Sequence, residues 1–241
     1  MPEKNYRNAI ILCNKEIQNI PIGASKMGGF PDLPPEIEYP TMTEFKEIWL
    51  SGAYKGKTLH YEKSAMQLVA QINLYELAES GADLENLLPK TGMLYIFWSG
   101  EIMKLENNKG CEFIIKESDK TATHKIIYWD GDISTLKRTE PPCPYYSKFF
   151  DKDECFSENA VEFDFCKEYE NNKNHYINNE FFGFPQGFAN QPKLDKTEVN
   201  LFQFDCYDIF EGCIWYAYWI IDREDLKNLD FSRVAMDFDM D

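Results

Sequence analysis

The sequence contains no C-x-x-C pair, no H-x-x-x-H or H-E-x-x-H spacing and no G-x-S-x-G elbow. Each absence removes a class of chemistry. Its seven cysteines, Cys13, Cys111, Cys143, Cys155, Cys166, Cys206 and Cys213, are odd in number and irregularly spaced, so they read as reduced thiols in a cytosolic protein. The three histidines, His60, His124 and His175, stand far apart, and neither a metal site nor a bound cofactor is expected. Asp237, Asp239 and Asp241 alternate like the first ligands of a calcium loop, but the glycine and closing glutamate of such a loop are missing.

Long apolar runs are missing too. "GCIWYAYWII" meets Asp222 and Arg223 after ten residues, short of the roughly 18 a spanning helix needs, and no membrane association is expected. "AIILC" (9–13) is too short for a signal h-region.

Positive charge is scarce. Lys and Arg total 25 against 41 Asp and Glu, for a net charge of −16. Residues 1–120 carry 13 basic and 17 acidic side chains, net −4, and residues 121–241 carry 12 and 24, net −12. Such a surface repels a phosphate backbone, which argues against nucleic acid and for a basic protein partner. Exposed acids of "DKDECFSE", Asp151, Asp153 and Glu154, are candidates for that contact.

What is present is aromatic and patterned. Hydrophobic residues make up 44% and aromatics 15% of the chain, enough for a substantial core. A weak repeat runs through it. "GGFPDLPP" (28–35), "LVAQIN" (68–73) and "GMLYIFWS" (92–99) are followed later by "FGFPQGF" (182–188), "NLFQFD" (200–205) and "GCIWYAYWII" (212–221). The order in each copy is a glycine-proline turn, a strand centred on glutamine, and an aromatic strand.

Between the first copy's strands, leucines 74, 77, 84, 87 and 88 suit one or two helical turns before Pro89. "EFIIKE" and "HKIIYWD" read as strands, "RTEPPCPYY" as a connector, and "CKEYENNKNHYINNE" as a helix opening into a loop. Asp222 is a plausible N-cap for a short helix in "DREDLKNLDFSRV", and "AMDFDMD" reads as a frayed or loosely docked tail. These pieces predict one domain over 1–241, with pseudo-repeats at about 22–137 and 181–234. The expected fold class is α+β, mainly antiparallel sheets from an internal pseudo-duplication with a few short helices.

"SKMGGFPDLP", "LVAQINLYEL", "LPKTGMLYIFW", "IIYWDGD", "FFGFPQGF", "LFQFD" and "DLKNLDFSRV" occur in an order that resembles the YwqG-like family, a bacterial family of unknown function. The resemblance spans Ser25 to about Val234 and implies the duplicated α+β fold without supplying a reaction. The chain departs from the family pattern before the last aromatic strand, where only Gly212 stands in place of a Trp-Gly-Asp-x-Gly-like turn.

Two pairs of residues are candidate binding positions. Gly28 and Gly29 raise the question of a phosphate cradle, but Pro31, Pro34 and Pro35 forbid the helix such a cradle needs, so a tight backbone bend is the preferred reading. Gln71 and Gln203 place an amide inside apolar strands, and tying down the matching turns is preferred over reading a ligand. No catalytic constellation emerges. The expectation is a non-catalytic, immunity-like protein-binding module with an acidic face. The alternative is an enzyme or small-ligand binder with its site in a cleft between the repeats.

Overall fold

In a computed structural model, the protein is described over residues 6–42, 48–50, 58–59, 63–99, 113–114, 123–145, 155–169, 179–187, 191–206 and 214–240. Ten strands form one sheet: β1 (Tyr6–Lys15), β2 (Lys26–Met27), β3 (Gln67–Asn73), β4 (Met93–Trp98), β5 (His124–Trp129), β6 (Asn159–Tyr169), β7 (Glu180–Phe181), β8 (Glu198–Asp205), β9 (Ile214–Asp222) and β10 (Ala235–Met240). Their spatial order is β5-β4-β3-β2-β6-β1-β7-β8-β9-β10. All pairings are antiparallel.

This order corrects the α+β expectation. Strands make up 44% of the structure against 11% helical, and the sheet curls into a nearly closed barrel. The physical reason lies in the helices' length. The leucine-rich stretch yields only the seven-residue α1 (Leu74–Ser80), capped by Asn73, whose side chain accepts from the Tyr75 and Glu76 N–H groups. Its C-cap Gly81 ends it, and Leu84 beyond is half-exposed. The second helix, α2 (Arg223–Lys227), is five residues long and is capped by Asp222. Both cap strand ends rather than forming a layer.

Two other expectations change. "CKEYENNKNHYINNE" opens as the end of strand β6, not as a helix. The tail "AMDFDMD" is not frayed, because residues 235–240 form β10 and Asp239 is fully buried. The N-terminal "AIILC" lies in β1, in the middle of the sheet, where it pairs with β6 from Tyr6 opposite Tyr169 to Lys15 opposite Ala160.

Apolar residues from β1, β3, β4, β6, β8, β9 and β10 fill the barrel in one core. Trp98 meets Trp219 edge-on at 6.3 Å between ring centres, and Phe181 lies 4.8 Å from Phe202. Fully burying such side chains is worth roughly 1.5–3 kcal/mol each. The outer face of β3 and β4 carries a second, smaller core, in which Leu68, Met93, Tyr95 and Phe97 pack against Leu33, Tyr39, Met66, Leu136 and Tyr145.

The two ends of the strand order come together at one bond. The ring Nε2–H of His124, the first residue of β5, donates to the carbonyl of Val234, just before β10, at 3.1 Å. No helix among the described residues is long and apolar enough to cross a membrane.

Candidate functional site

Two turns, one in each half of the strand order, are held in the same way. In the first, Lys26 of β2 lies opposite Gln71 of β3, which lies opposite Tyr95 of β4. The turn that leaves β2 puts the Asp32 N–H on Gln71 Oε1 at 2.7 Å, and the Tyr95 hydroxyl donates to the Asp32 carbonyl at 2.7 Å. In the second, Glu180 of β7 lies opposite Gln203 of β8, which lies opposite Tyr218 of β9. Here the Gln186 N–H donates to Gln203 Oε1 at 2.8 Å, and the Tyr218 hydroxyl donates to the Gln186 carbonyl.

The likeness extends to the bulges. The register slips at Val69 in β3 and at Leu201 in β8, two residues before each glutamine. Gly28 and Phe182 occupy corresponding turn positions, both left-handed at φ 63° and 65°. For phenylalanine that conformation costs about 1–2 kcal/mol.

The first seat is electrically closed. Lys26, fully buried, donates to the Phe30 carbonyl and to Glu158 Oε1 at 2.7 Å. Arg138 reaches Asp32 Oδ1 at 2.6 Å and Glu158 at 2.9 Å. Asp32 Oδ2 accepts from the Gly23 N–H and from Gln71 Nε2, each at 2.9 Å, and Nε2 also serves the Ala24 carbonyl. Burial pulls the Lys26 ammonium below its ordinary value, against the pull of Glu158 and Asp32. Every polar end of Gln71 is used within the fold.

The second seat is filled differently. Glu180 stands where Lys26 stands, and among the described residues no N–H group donates to either of its carboxyl oxygens. Burial first, then the neighbouring Glu168 charge, push its carboxyl well above the usual carboxylate range. Protonated, it can donate to Glu168. Glu168 Oε2 accepts from the Phe184 N–H at 2.8 Å and Oε1 from Gln186 Nε2 at 3.2 Å. Arg7 lies opposite Glu168 in the β1–β6 ladder, with its guanidinium 4.8 Å over the Phe184 ring. A side chain on Gly183 would run into Glu180 and come within 2.6 Å of Glu168 Oε2, so only glycine fits against the two carboxyls.

Cross-strand register extends this polar face. Asn200 pairs with Ile220, Gln203 with Tyr218 and Asp237, and Tyr216 with Asp205 and Asp239. Leu68, Met93, Ile127 and Trp129 take the corresponding places in the other half, from the register of β3, β4 and β5. Asn200 is fully buried, and among the described residues neither end of its amide has a hydrogen-bond partner. Among the described residues no three His, Cys, Asp or Glu side chains are grouped to hold a metal ion.

The family model described as "Domain of unknown function (DUF1963)" matches residues 25–239, nearly the whole chain and both seats. The chain belongs to that family. No curated protein matches it.

Within the DUF1963 fold the candidate residues that are described do not converge on one site. Gln71 and Gln203 each serve their own turn, and β2, β6, β1 and β7 stand between their strands in the sheet. Gly28 and Gly29 direct their N–H groups to the Val69 and Phe156 carbonyls, at 3.1 and 2.8 Å. Asp151, Asp153, Glu154, His60 and His175 lie outside the described residues. Glu180 and Asn200 were not singled out from the sequence. Setting "KMGGFPD" over "EFFGFPQ" and "LVAQIN" over "NLFQFD" exposes them, because Lys26 then faces Glu180 and Leu68 faces Asn200.

Proposed function

We propose that this DUF1963 chain is a non-catalytic binding protein that recognises a basic partner protein through its acidic second half. The observation that carries the reading is the unequal filling of two like seats. Lys26 and Arg138 neutralise Asp32 and Glu158 in the first. In the second, Glu180 replaces the lysine and adds a carboxyl beside Glu168. Residues 121–241, which supply Glu168, Glu180 and Gln203 of the second seat and also Arg138 and Glu158 of the first, carry a net −12 against −4 in residues 1–120, a field that draws cations. The likeness of the seats also supports one domain of two duplicated halves, wider at both ends than 22–137 and 181–234, since β1, β6 and β10 take part. The five described cysteines are free thiols, in keeping with a cytosolic, YwqG-like bacterial protein.

The test is recovery of a partner followed by stopped-flow mixing with it. A basic partner steered by charge associates more slowly as the Debye length contracts from about 30 Å at 0.01 M salt to about 8 Å at 0.15 M. Reversing Asp151, Asp153 and Glu154 to lysine slows association further and leaves the melting temperature in place. A rate indifferent to salt and to these reversals removes the reading. A second reading, a small-ligand site on the outer face of the second half, is favoured by the Asn200 amide, which has no partner among the described residues.

A further inference from the structure

We propose that residues 229–234 are a strap that closes the barrel across the β5 edge and is released by acid, with His124 as its latch. The device is independent of the partner reading above.

The argument begins with an unpaired edge. β5 ends the strand order, and the Ser99 N–H donates to the Thr123 carbonyl at 2.8 Å, which sets the alternation of the β4–β5 ladder. The backbone groups of Lys125, Ile127 and Trp129 therefore point to β4, and those of His124, Ile126 and Tyr128 point away from it. No described strand takes them up. The chain between α2 and β10 lies against this edge instead, with a 3-10 turn at Phe231–Arg233.

Sheets need their edges covered, and here the cover is light. Of residues 229–234 only Val234 is buried. Among the described residues the strap has a single hydrogen bond to β5, the one that its Val234 carbonyl accepts from His124 Nε2–H. Its hold on α2 is separate. The Leu229 and Asp230 N–H groups donate to the Leu226 and Asp225 carbonyls, at 3.0 and 2.9 Å, and Arg233 pairs with Asp225. The strap can therefore leave β5 while it stays anchored on α2. A segment with few buried contacts is the kind that opens locally.

The latch fails when it is charged. His124 is buried on the core face of β5, in one row with Trp98 and Gln67. With Nε2–H on Val234, the neutral ring keeps a lone pair on Nδ1, and among the described residues no donor meets it. Protonation turns Nδ1 into a buried donor without an acceptor. The titratable and charged groups on the elements around it are Asp230 and Arg233 of the strap, Asp225 of α2, Asp237 and Asp239 of β10 and Lys125 of β5. Arg233 and Asp225 hold each other, Lys125 takes the face of β5 away from His124, and Asp237 and Asp239 take the face of β10 away from the buried Phe238. Burial pulls the ring below its ordinary 6.5, and the Val234 bond opposes it only in part.

Opening lets the ring take its proton from solvent. Below pH 6.5 each unit fall multiplies the open population up to tenfold, until the folded value of the ring is reached. The released strap uncovers the outward N–H and carbonyl groups of Ile126 and Tyr128.

The experiment is hydrogen exchange of the full chain from pH 7.5 to 5, corrected for the intrinsic pH dependence, with carbon-13 NMR of the histidine rings in the same samples. The Val234 and Ile126 amides should open up to tenfold more per unit below pH 6.5, levelling where the His124 ring titrates, while the β3 amides keep their protection. His124→Gln keeps a donor for Val234 without a charge to gain, and its exchange should be flat. Exchange at Val234 and Ile126 that ignores pH overturns the latch, as does the same slope in His124→Gln or a His124 ring that titrates at 6.5 or above. A rise at β3 in step with Val234 overturns it too, since the whole barrel would then be opening. Should His124→Gln fail to fold, the wild-type comparison of ring titration with amide opening decides alone.

Discussion

Lys26 and Glu180, a basic and an acidic side chain, occupy corresponding places in two ladders, one opposite Gln71 and the other opposite Gln203. Both are fully buried. The lysine is neutralised where it stands; the glutamate is disposed to keep its proton. Burying a charge is tolerated only when it is paired or discharged, and the two halves use one solution each.

Removing one member of the closed seat should therefore be severe. Asp32→Ala leaves Arg138 without its 2.6 Å partner, and Gln71 Nε2 and the Gly23 N–H lose an acceptor. A loss of about 3–5 kcal/mol in urea denaturation is expected. Lys227→Ala, at an exposed pair, should stay within about 0.5 kcal/mol. Similar losses for both variants would mean that the buried network contributes little.

The left-handed glycines separate strain from crowding. Gly28 and Gly81 have φ 63° and 71°, but a Cβ on Gly28 would run into the Ser157 carbonyl and lie 2.6 Å from that of Phe156, while nothing lies within 4 Å of one on Gly81. Gly81→Ala should cost about 1–2 kcal/mol, the left-handed penalty alone. Gly28→Ala should cost clearly more, because backbone has to shift as well. Thermal denaturation of the two variants side by side checks the order.

Glu180 and His124 should give stability opposite pH slopes. The Glu180 carboxyl is raised above its ordinary 4.5 in the folded chain, so its contribution is full below pH 4.5 and is lost as pH rises through the folded value. Burial lowers His124 from its ordinary 6.5, so its contribution is present above pH 6.5 and is lost as pH falls through the folded value. Glu180→Gln should therefore gain on the wild type towards high pH, and His124→Gln towards low pH. Urea midpoints from pH 4 to 8 read both slopes; parallel curves for Glu180→Gln and wild type would show that the carboxyl ionises as freely as in the unfolded chain.

The strands at 67–73, 93–98, 124–129, 198–205 and 214–222 were legible because β-branched and aromatic residues crowd them. The Asp222 cap was legible for the same local reason, a side chain acting on the N–H two residues on. The barrel was not. Its centre is β1 against β6, and β6 alternates Glu162 and Asp164 with Phe163 and Phe165 before Lys167 and Glu168, a polar pattern that one exposed edge of a helix could share. The leucines after Asn73 gave a true helical period over too few turns, and tertiary pairing decided the class. The second seat was hidden for another reason: Glu180 and Asn200 are ordinary residues in sequence, and only complete burial, of Glu180 against the Glu168 carboxyl and of Asn200 with no partner among the described residues, makes them unusual.

The β1–β6 seam also fixes when this protein can fold. A ribosome that has released β1 to β5 holds a chain in which β1 still awaits Tyr169 through Ala160, and β2 awaits Asn159 and Ala160 from the same strand. The first half of the nascent chain must therefore leave the exit tunnel with its hydrogen-bonding edges open. Closure comes only once the second half arrives, and such distant pairing is slow and exposed to misassembly. During synthesis, before any ligand or partner matters, the chain depends on whatever shields an unfinished sheet.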